Sequence, residues 1–183
     1  MKTKIFLLVM TVMLSIGSIS AEEKKELTKE QKKELQAKRD SIDFIHSSRA
    51  IDDRHFALQA DQVIYGRGGS DSVLPSTNFI VVNGDQGIIQ VSPKVGGGPN
   101  GLGGITIDGT ISGYKVRTDK KGNKTISMTV SSMGTSSSVS ITLYSGSNNA
   151  SARVSATFHS DNVTLNGNLV PYNHSDVTIG SHR

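Results

Sequence analysis

The 183-residue sequence has no cysteine, no tryptophan, four prolines, and only 5% aromatic residues. With no cysteine there can be no disulfide, so stability has to come from packing and hydrogen bonds. The same absence removes the acceptor of a bacterial lipid anchor, which needs a cysteine at its cleavage point. Glutamate is absent after Glu34. The scarcity of aromatics argues against an outer-membrane barrel, which carries aromatic girdles on a lipid-facing apolar band. After the first twenty-one residues no apolar stretch approaches the length of a membrane span.

The N-terminus is what is most plainly present. Lys2 and Lys4 precede the apolar run Ile5-Phe6-Leu7-Leu8-Val9-Met10, which continues through Val12, Met13, Leu14 and Ile16 to Gly17-Ser18-Ile19-Ser20-Ala21. A short positive region, an apolar core and a small-residue exit form the pattern of a secretory signal peptide, too short for a good membrane span. Cleavage after Ala21 fits best, with Ser20 as the alternative. The expectation is a signal peptide over 1–21 and a periplasmic or secreted protein without membrane insertion after its removal. The mature chain has room for one domain with a real core.

Charge narrows the partners. Loss of Lys2 and Lys4 lowers the formal net charge from +4 to +2. Residues 22–54 hold nine basic and nine acidic residues, and residues 55–183 hold nine basic and seven acidic ones, all aspartate. That scatter is not a nucleic-acid footprint, and no nucleic-acid partner is expected.

Composition divides the mature chain at about residue 54. Residues 22–54 are rich in Lys, Glu, Gln and Leu and predict a charged helix. Thr28-Lys29-Glu30-Gln31 reads as a capping box, and Glu34 and Lys38 are a favourably oriented pair one turn apart. Ile42, Phe44, Ile45, Ala50 and Ile51 provide the stripe expected to pack on the rest. From His55 the pattern alternates with period two. Phe56-Leu58-Ala60, Phe79 to Val82, Gln86 to Val91, Ile105-Ile107-Ile111, Tyr114-Val116, Ile126-Met128-Val130, Val139-Ile141-Leu143, Ala150 to Phe158 and Val163 to Val170 read as strands. Turns are signalled at Asn83-Gly84-Asp85 and Asp119 to Asn123, with a Gly- and Ser-rich loop over 66–76. The fold class that follows is mainly β, an antiparallel meander of about eight or nine strands over 55–183 with one charged N-terminal helix. Its apolar face is hidden by barrel-like closure or, as the alternative, by sandwich packing.

The run Asn78-Phe79-Ile80-Val81-Val82-Asn83-Gly84-Asp85-Gln86-Gly87-Ile88-Ile89-Gln90 is followed by Gly103-Gly104-Ile105-Thr106-Ile107-Asp108-Gly109-Thr110-Ile111. Together with the exported N-terminus, the charged helix and Phe56-Ala57-Leu58-Gln59-Ala60-Asp61, it resembles domain of unknown function 4251, over roughly residues 45–172. Members of that family are small secreted proteins of Gram-negative anaerobes. The resemblance implies domain extent and export, and brings no catalytic residue with it.

Few side chains offer chemistry. Gly96-Gly97-Gly98-Pro99-Asn100-Gly101 matches a dinucleotide loop letter for letter, but a strand follows it and no βαβ unit surrounds it. It reads as a flexible connection, or as a rim over a barrel mouth where the backbone at Gly98 and Gly101 meets a ligand. His159-Ser160-Asp161 and His174-Ser175-Asp176 repeat one triplet. Adjacent residues cannot form a nucleophilic triad, but His159, Asp161, His174 and Asp176 would make a metal site if the segments were neighbours; otherwise they are polar loop residues. Asp108 lies mid-strand on the face away from Ile105 and Ile107, so Asp108 with Arg117 or Lys115 forms a ligand-binding candidate if that face lines a cavity, and a solvated surface if it does not. Asn78, at the start of its strand, completes the ligand-binding set.

No cofactor is implied. The expected function is a non-enzymatic binding module for a small ligand or an envelope partner. A periplasmic hydrolase acting on glycan or peptide is the first alternative, and would need two of Asp61, Asp108, His159, Asp161 and His174 in one cleft. An adaptor docking through its N-terminal helix is the second.

Overall fold

The computed structural model describes residues 28–66, 68–92, 105–156 and 162–179. It divides into two compact units, Met1–Glu34 and Leu35–Arg183. The first contributes only the opening turns of helix α1 (Lys29–Asp52) to the described residues. Those turns carry the expected capping box: the Thr28 amide donates to Gln31 Oε1 at 3.0 Å, and the Gln31 amide donates to Thr28 Oγ1 at 3.3 Å.

The second unit is a closed barrel. Nine strands follow α1: β1 (His55–Tyr65), β2 (Ser70–Ser72), β3 (Phe79–Asn83), β4 (Gln86–Val91), β5 (Ile105–Thr118), β6 (Lys124–Ser132), β7 (Thr135–Leu143), β8 (Asn149–Ala156) and β9 (Val163–Pro171). All pair antiparallel in the order β2-β1-β3-β4-β5-β6-β7-β8-β9, and β1 also pairs with β9 from Phe56↔Pro171 to Tyr65↔Val163. That last pairing closes eight strands on themselves and leaves β2 outside as a short flap on β1. Closure removes the sheet edges that an open meander would expose.

An eight-stranded barrel is just wide enough for its inward side chains to fill. The inward set runs Phe56, Leu58, Ala60 and Val63 on β1, Ile80 and Val82 on β3, Ile126, Met128 and Val130 on β6, and Val139, Ile141 and Leu143 on β7. With Ala152, Leu165 and Leu169 from β8 and β9 they form one continuous core. Among the described residues, that core occupies the barrel interior. One close approach seals the closing seam: at Gly167 of β9 an added Cβ would overlap the Gln59 carbonyl of β1, beside the register shift between Ala60 and Gln62.

Two bulges reset the alternation. The first lies at that β1 register shift, where the Asp61 carbonyl accepts from the Val73 amide at 2.8 Å. The second lies in β5 between Ser112 and Lys115, where Gly113 has φ +65°. The apparent break in periodicity at Gly113 is therefore a kink within one long strand. The short β2 falls in the segment expected to be a loop, held by the Tyr65 hydroxyl donating to Asp71 Oδ2 at 3.0 Å. Burial and that hydrogen bond raise the Tyr65 pKa.

The second half of α1 caps the barrel with part of the stripe expected to pack. Phe44, Ala50 and Ile51 pack on the core, and the buried Ser47 hydroxyl donates to the Leu169 carbonyl at 2.6 Å. Ile42 and Ile45, expected in the buried stripe, are 53% and 54% exposed. The helical period allows only one line of contact, and the Phe44–Ser47–Ile51 line takes it. The helix end is locked further. The Tyr114 hydroxyl donates to the Ile51 carbonyl at 2.7 Å, and Lys124 Nζ reaches both Asp52 carboxylate oxygens at 2.7 Å and the Ser48 carbonyl at 3.3 Å. The Arg54 guanidinium lies 4.6 Å over the Tyr114 ring and pairs with Asp85 at 2.9 Å.

Candidate functional site

The outside of the barrel has two unlike halves. Over β1, β3, β4 and β9 part of the outer face is an apolar patch, and the chain after β9 covers it. Tyr172 and Val177 pack on Ala57, Phe79, Val81, Ile88 and Val170, and the Thr178 amide donates to the Ser76 carbonyl at 2.9 Å. Over β5–β8 the outward residues are mostly hydroxyl-bearing or cationic, with Asp108 the acidic exception, and among the described residues nothing covers them.

Register explains how that second half is organised. Lys115, Ser127, Ser140 and Arg153 stand opposite one another across four consecutive strands. The adjacent row aligns Ser112, Thr129, Ser138 and Ser155. Small side chains in the middle and long ones at the sides make a trough of ≈ 440 Å³, with Gly113 at the β5 bulge opening one flank. Three inter-strand steps separate the Lys115 and Arg153 backbones, about 14 Å. Among the described residues neither cation has a carboxylate partner, and the side chains of Ser127, Thr129, Ser138, Ser140 and Ser155 make no hydrogen bond. The neighbouring row, Arg117–Thr125–Thr142–Ser151–Asn166–Gln62, contrasts with this. There Thr125 and Thr142 share a hydrogen bond at 3.4 Å, Ser151 donates to Asn166 at 2.7 Å, and Asn166 donates to Gln62 at 3.0 Å. One row uses its polar groups internally, and the other presents them outward.

The expected site residues fall in different places. Asp108 is exposed on the outside of β5, opposite Ile88 of β4, so its face is the surface and not the barrel interior. Arg117 lies on the same strand beyond the bulge, next to the trough, and Asp108 and Arg117 are not brought together. Nine residues of extended chain separate them, roughly 30 Å. Asn78 is buried and serves the fold: its amide donates to the Leu74 carbonyl at 3.1 Å and to Thr77 Oγ1 at 3.2 Å, and its Oδ1 accepts from the Ser92 amide at 2.7 Å. Gly98, Gly101, His159 and Asp161 lie outside the described residues. His174 and Asp176 are exposed after β9, and His174 shares a neighbourhood with residues of α1 and β1.

That neighbourhood is a groove of ≈ 290 Å³ lined by His46, Arg49, Asp53, His55, Asn173 and His174, among others. His55 Nδ1 lies 3.1 Å from Asn83 Oδ1, and its ring meets Tyr172 edge-on at 5.2 Å between centroids. Three imidazoles share one groove, although among the described residues no group of three or more His, Cys, Asp or Glu is placed to hold a metal ion. Nothing in the spacing of positions 46, 55 and 174 signals this grouping; the trough could be found only from the register of four strands.

Comparison with known proteins agrees with this architecture. A family model described as Domain of unknown function (DUF4251) matches residues 22–169. The chain is similar to the crystal structure of a DUF4251 family protein from Bacteroides eggerthii DSM 20697, at 38% sequence identity over 77% of this chain and 95% of that one, with a TM-score of 0.69. No curated protein matches the chain.

Proposed function

The chain belongs to the DUF4251 family, described as a domain of unknown function, and from that premise we propose that it is an exported binding module of the Gram-negative cell envelope, without catalytic activity, that takes its ligand on the outside of the barrel. The observation that carries this reading is the trough between Lys115 and Arg153, a concave surface whose donors, acceptors and cations have no partner among the described residues, on a barrel whose interior holds a packed core. Most small-ligand sites are concave and combine a few placed polar groups with rigid support. Strands β5–β8 are paired on both sides and give that support.

Export rests on the N-terminal pattern, with Glu22 as the first mature residue. Intact mass and cell fractionation of the native protein test it: a chain that keeps residues 1–21 in the cytoplasm contradicts it. Binding is tested by thermal unfolding of the mature chain against short glycans, peptidoglycan fragments, bile-type amphiphiles and divalent metals. A ligand at a hundred times its Kd adds about 2.7 kcal/mol and moves the midpoint by several degrees. An unmoved midpoint across the panel counts against a small-ligand module.

The hydrolase reading has less to support it. Asp61 is at the β1 bulge, Asp108 is on the outside of β5, and His174 is in the groove beside α1, so these described candidates do not converge. One observation favours the adaptor reading: Leu35, Ile42 and Ile45 are exposed on α1, where apolar side chains would suit a partner.

A further inference from the structure

We propose that the trough over β5–β8 binds a linear anionic glycan, its acidic groups meeting Lys115 and Arg153 and its hydroxyls meeting the serine floor between them. This rests on the reading of the outer face as the binding surface and names the ligand class.

The floor sets the chemistry of the ligand's middle. Ser127, Thr129, Ser138, Ser140 and Ser155 line the trough, and each hydroxyl can donate once and accept twice. The ligand that matches such a surface also mixes donors and acceptors along its length, which describes a chain of sugar hydroxyls. The walls set the chemistry of its ends. Lys115 and Arg153 stand at opposite sides of the trough, with backbones about 14 Å apart, so they suit two anionic groups separated along a chain. The only carboxylate that points outward from the described part of β5–β8 is Asp108, remote from the trough beyond Thr110 and Ser112. The local field is therefore positive.

The lining also disfavours other partners. Among the described residues no aromatic side chain lines the trough, so they offer no platform for stacking a neutral sugar ring or a nucleic-acid base. Among the described residues it also has no aromatic anchor of the kind on which protein interfaces concentrate their affinity. Charge and hydroxyl hydrogen bonding are what remain.

The test is titration calorimetry of the mature protein with three tetrasaccharides: a galacturonate oligomer carrying carboxylates, a chondroitin sulfate oligomer carrying sulfates as well, and neutral cellotetraose. The acidic oligomers are expected to bind, with affinity falling as sodium chloride rises, and the neutral one is expected to give no heat. Comparison of the two acidic oligomers tells whether carboxylate alone suffices. Lys115→Gln and Arg153→Gln should each weaken binding about fivefold, and the double variant about 25-fold. Both positions are exposed, so an unchanged thermal midpoint shows that the variants are folded. Equal binding of the neutral oligomer overturns the anionic class and leaves the outer face as a binding surface. Binding of acidic oligomers that is indifferent to both substitutions overturns the trough as the site. Absence of heat from all three overturns the glycan proposal, while the broader binding reading is still decided by the ligand panel.

Discussion

Replacement of Tyr114 by phenylalanine tests how the helix is locked to the barrel, and its effect should depend on pH in a defined way. The Tyr114 hydroxyl donates to the Ile51 carbonyl, which also accepts from the Arg54 amide at 3.1 Å. Removal of the hydroxyl therefore leaves that carbonyl with one partner still in place, so the cost is that of an ordinary hydrogen bond, about 1 kcal/mol, and not of an orphaned acceptor. For a domain of this size that lowers the midpoint by roughly 3 °C. The ring keeps its contact with Arg54, so the cation–π term survives the change. Burial pushes the Tyr114 pKa up to about 12, with Arg54 opposing and Asp52 assisting. A phenol whose folded pKa lies above its unfolded value of 10.0 leaves stability intact below pH 10 and removes it as pH rises toward 12. The ring is only about half buried, so the full shift is discounted for solvent screening to about 1 kcal/mol at pH 11.5. Urea unfolding at pH 8 and pH 11.5 checks this. The wild type should exceed Tyr114→Phe by about 1 kcal/mol at the lower pH, and the gap should close at the higher one. Tyr65 shifts in the same direction and is present in both proteins, so it cancels in the difference. A gap of zero at pH 8, or one that persists at pH 11.5, would refute the reasoning.

Three further outcomes follow from the same geometry. Gly167→Ala drives a Cβ into the Gln59 carbonyl at the seam that closes the barrel, so it should cost about 3 kcal/mol or more, or leave no folded protein, as read by urea unfolding or soluble yield. Ser137 is fully buried and its hydroxyl has no hydrogen-bond partner among the described residues, so Ser137→Ala should be neutral or stabilising by up to about 1 kcal/mol, and a clear loss in a thermal melt would mean the hydroxyl is satisfied in solution. The Asn123 side chain, helped by the Asn123 and Lys121 amides, holds the Asp119 carboxyl below its ordinary 3.8, so the β5–β6 turn should keep its hydrogen bonds at that pH and loosen as pH falls further. A carbon-detected NMR titration of Asp119 with a midpoint at or above 3.8 would contradict this.

Much of the barrel is legible in the sequence because an antiparallel strand with one buried face must alternate. The runs through Ile126-Met128-Val130 and Val139-Ile141-Leu143 have that pattern, and the structure buries them. The choice of barrel over sandwich is not legible. It depends on β1 meeting β9 more than a hundred residues later in the chain, and on Gly167 allowing that approach. Ser70–Ser72 has no alternation, so β2 reads as loop, and the bulge at Gly113 makes one strand look like two. The stripe on α1 is read correctly at Phe44, Ala50 and Ile51 but too broadly, because Ile42 and Ile45 carry more apolar surface than Ser47, while the hydroxyl of Ser47 has a buried carbonyl to bond. The candidate site is the least legible part. Sequence reasoning weights rare residues such as His174, Asp108 and the Gly98–Gly101 loop, whereas the trough is built from abundant serines whose alignment depends on the register of β5–β8.

The most direct measurement is backbone amide chemical-shift mapping of residues 22–183 during titration with the galacturonate tetramer. Ligand on the outer face should move the amides of Lys115, Ser127, Ser138, Ser140 and Arg153 together, and leave those flanking Leu58, Val63 and Leu165 in the core unmoved. Shifts concentrated on the inward-facing residues, or around His46, His55 and His174, would contradict the claim that this barrel works from its outside at β5–β8.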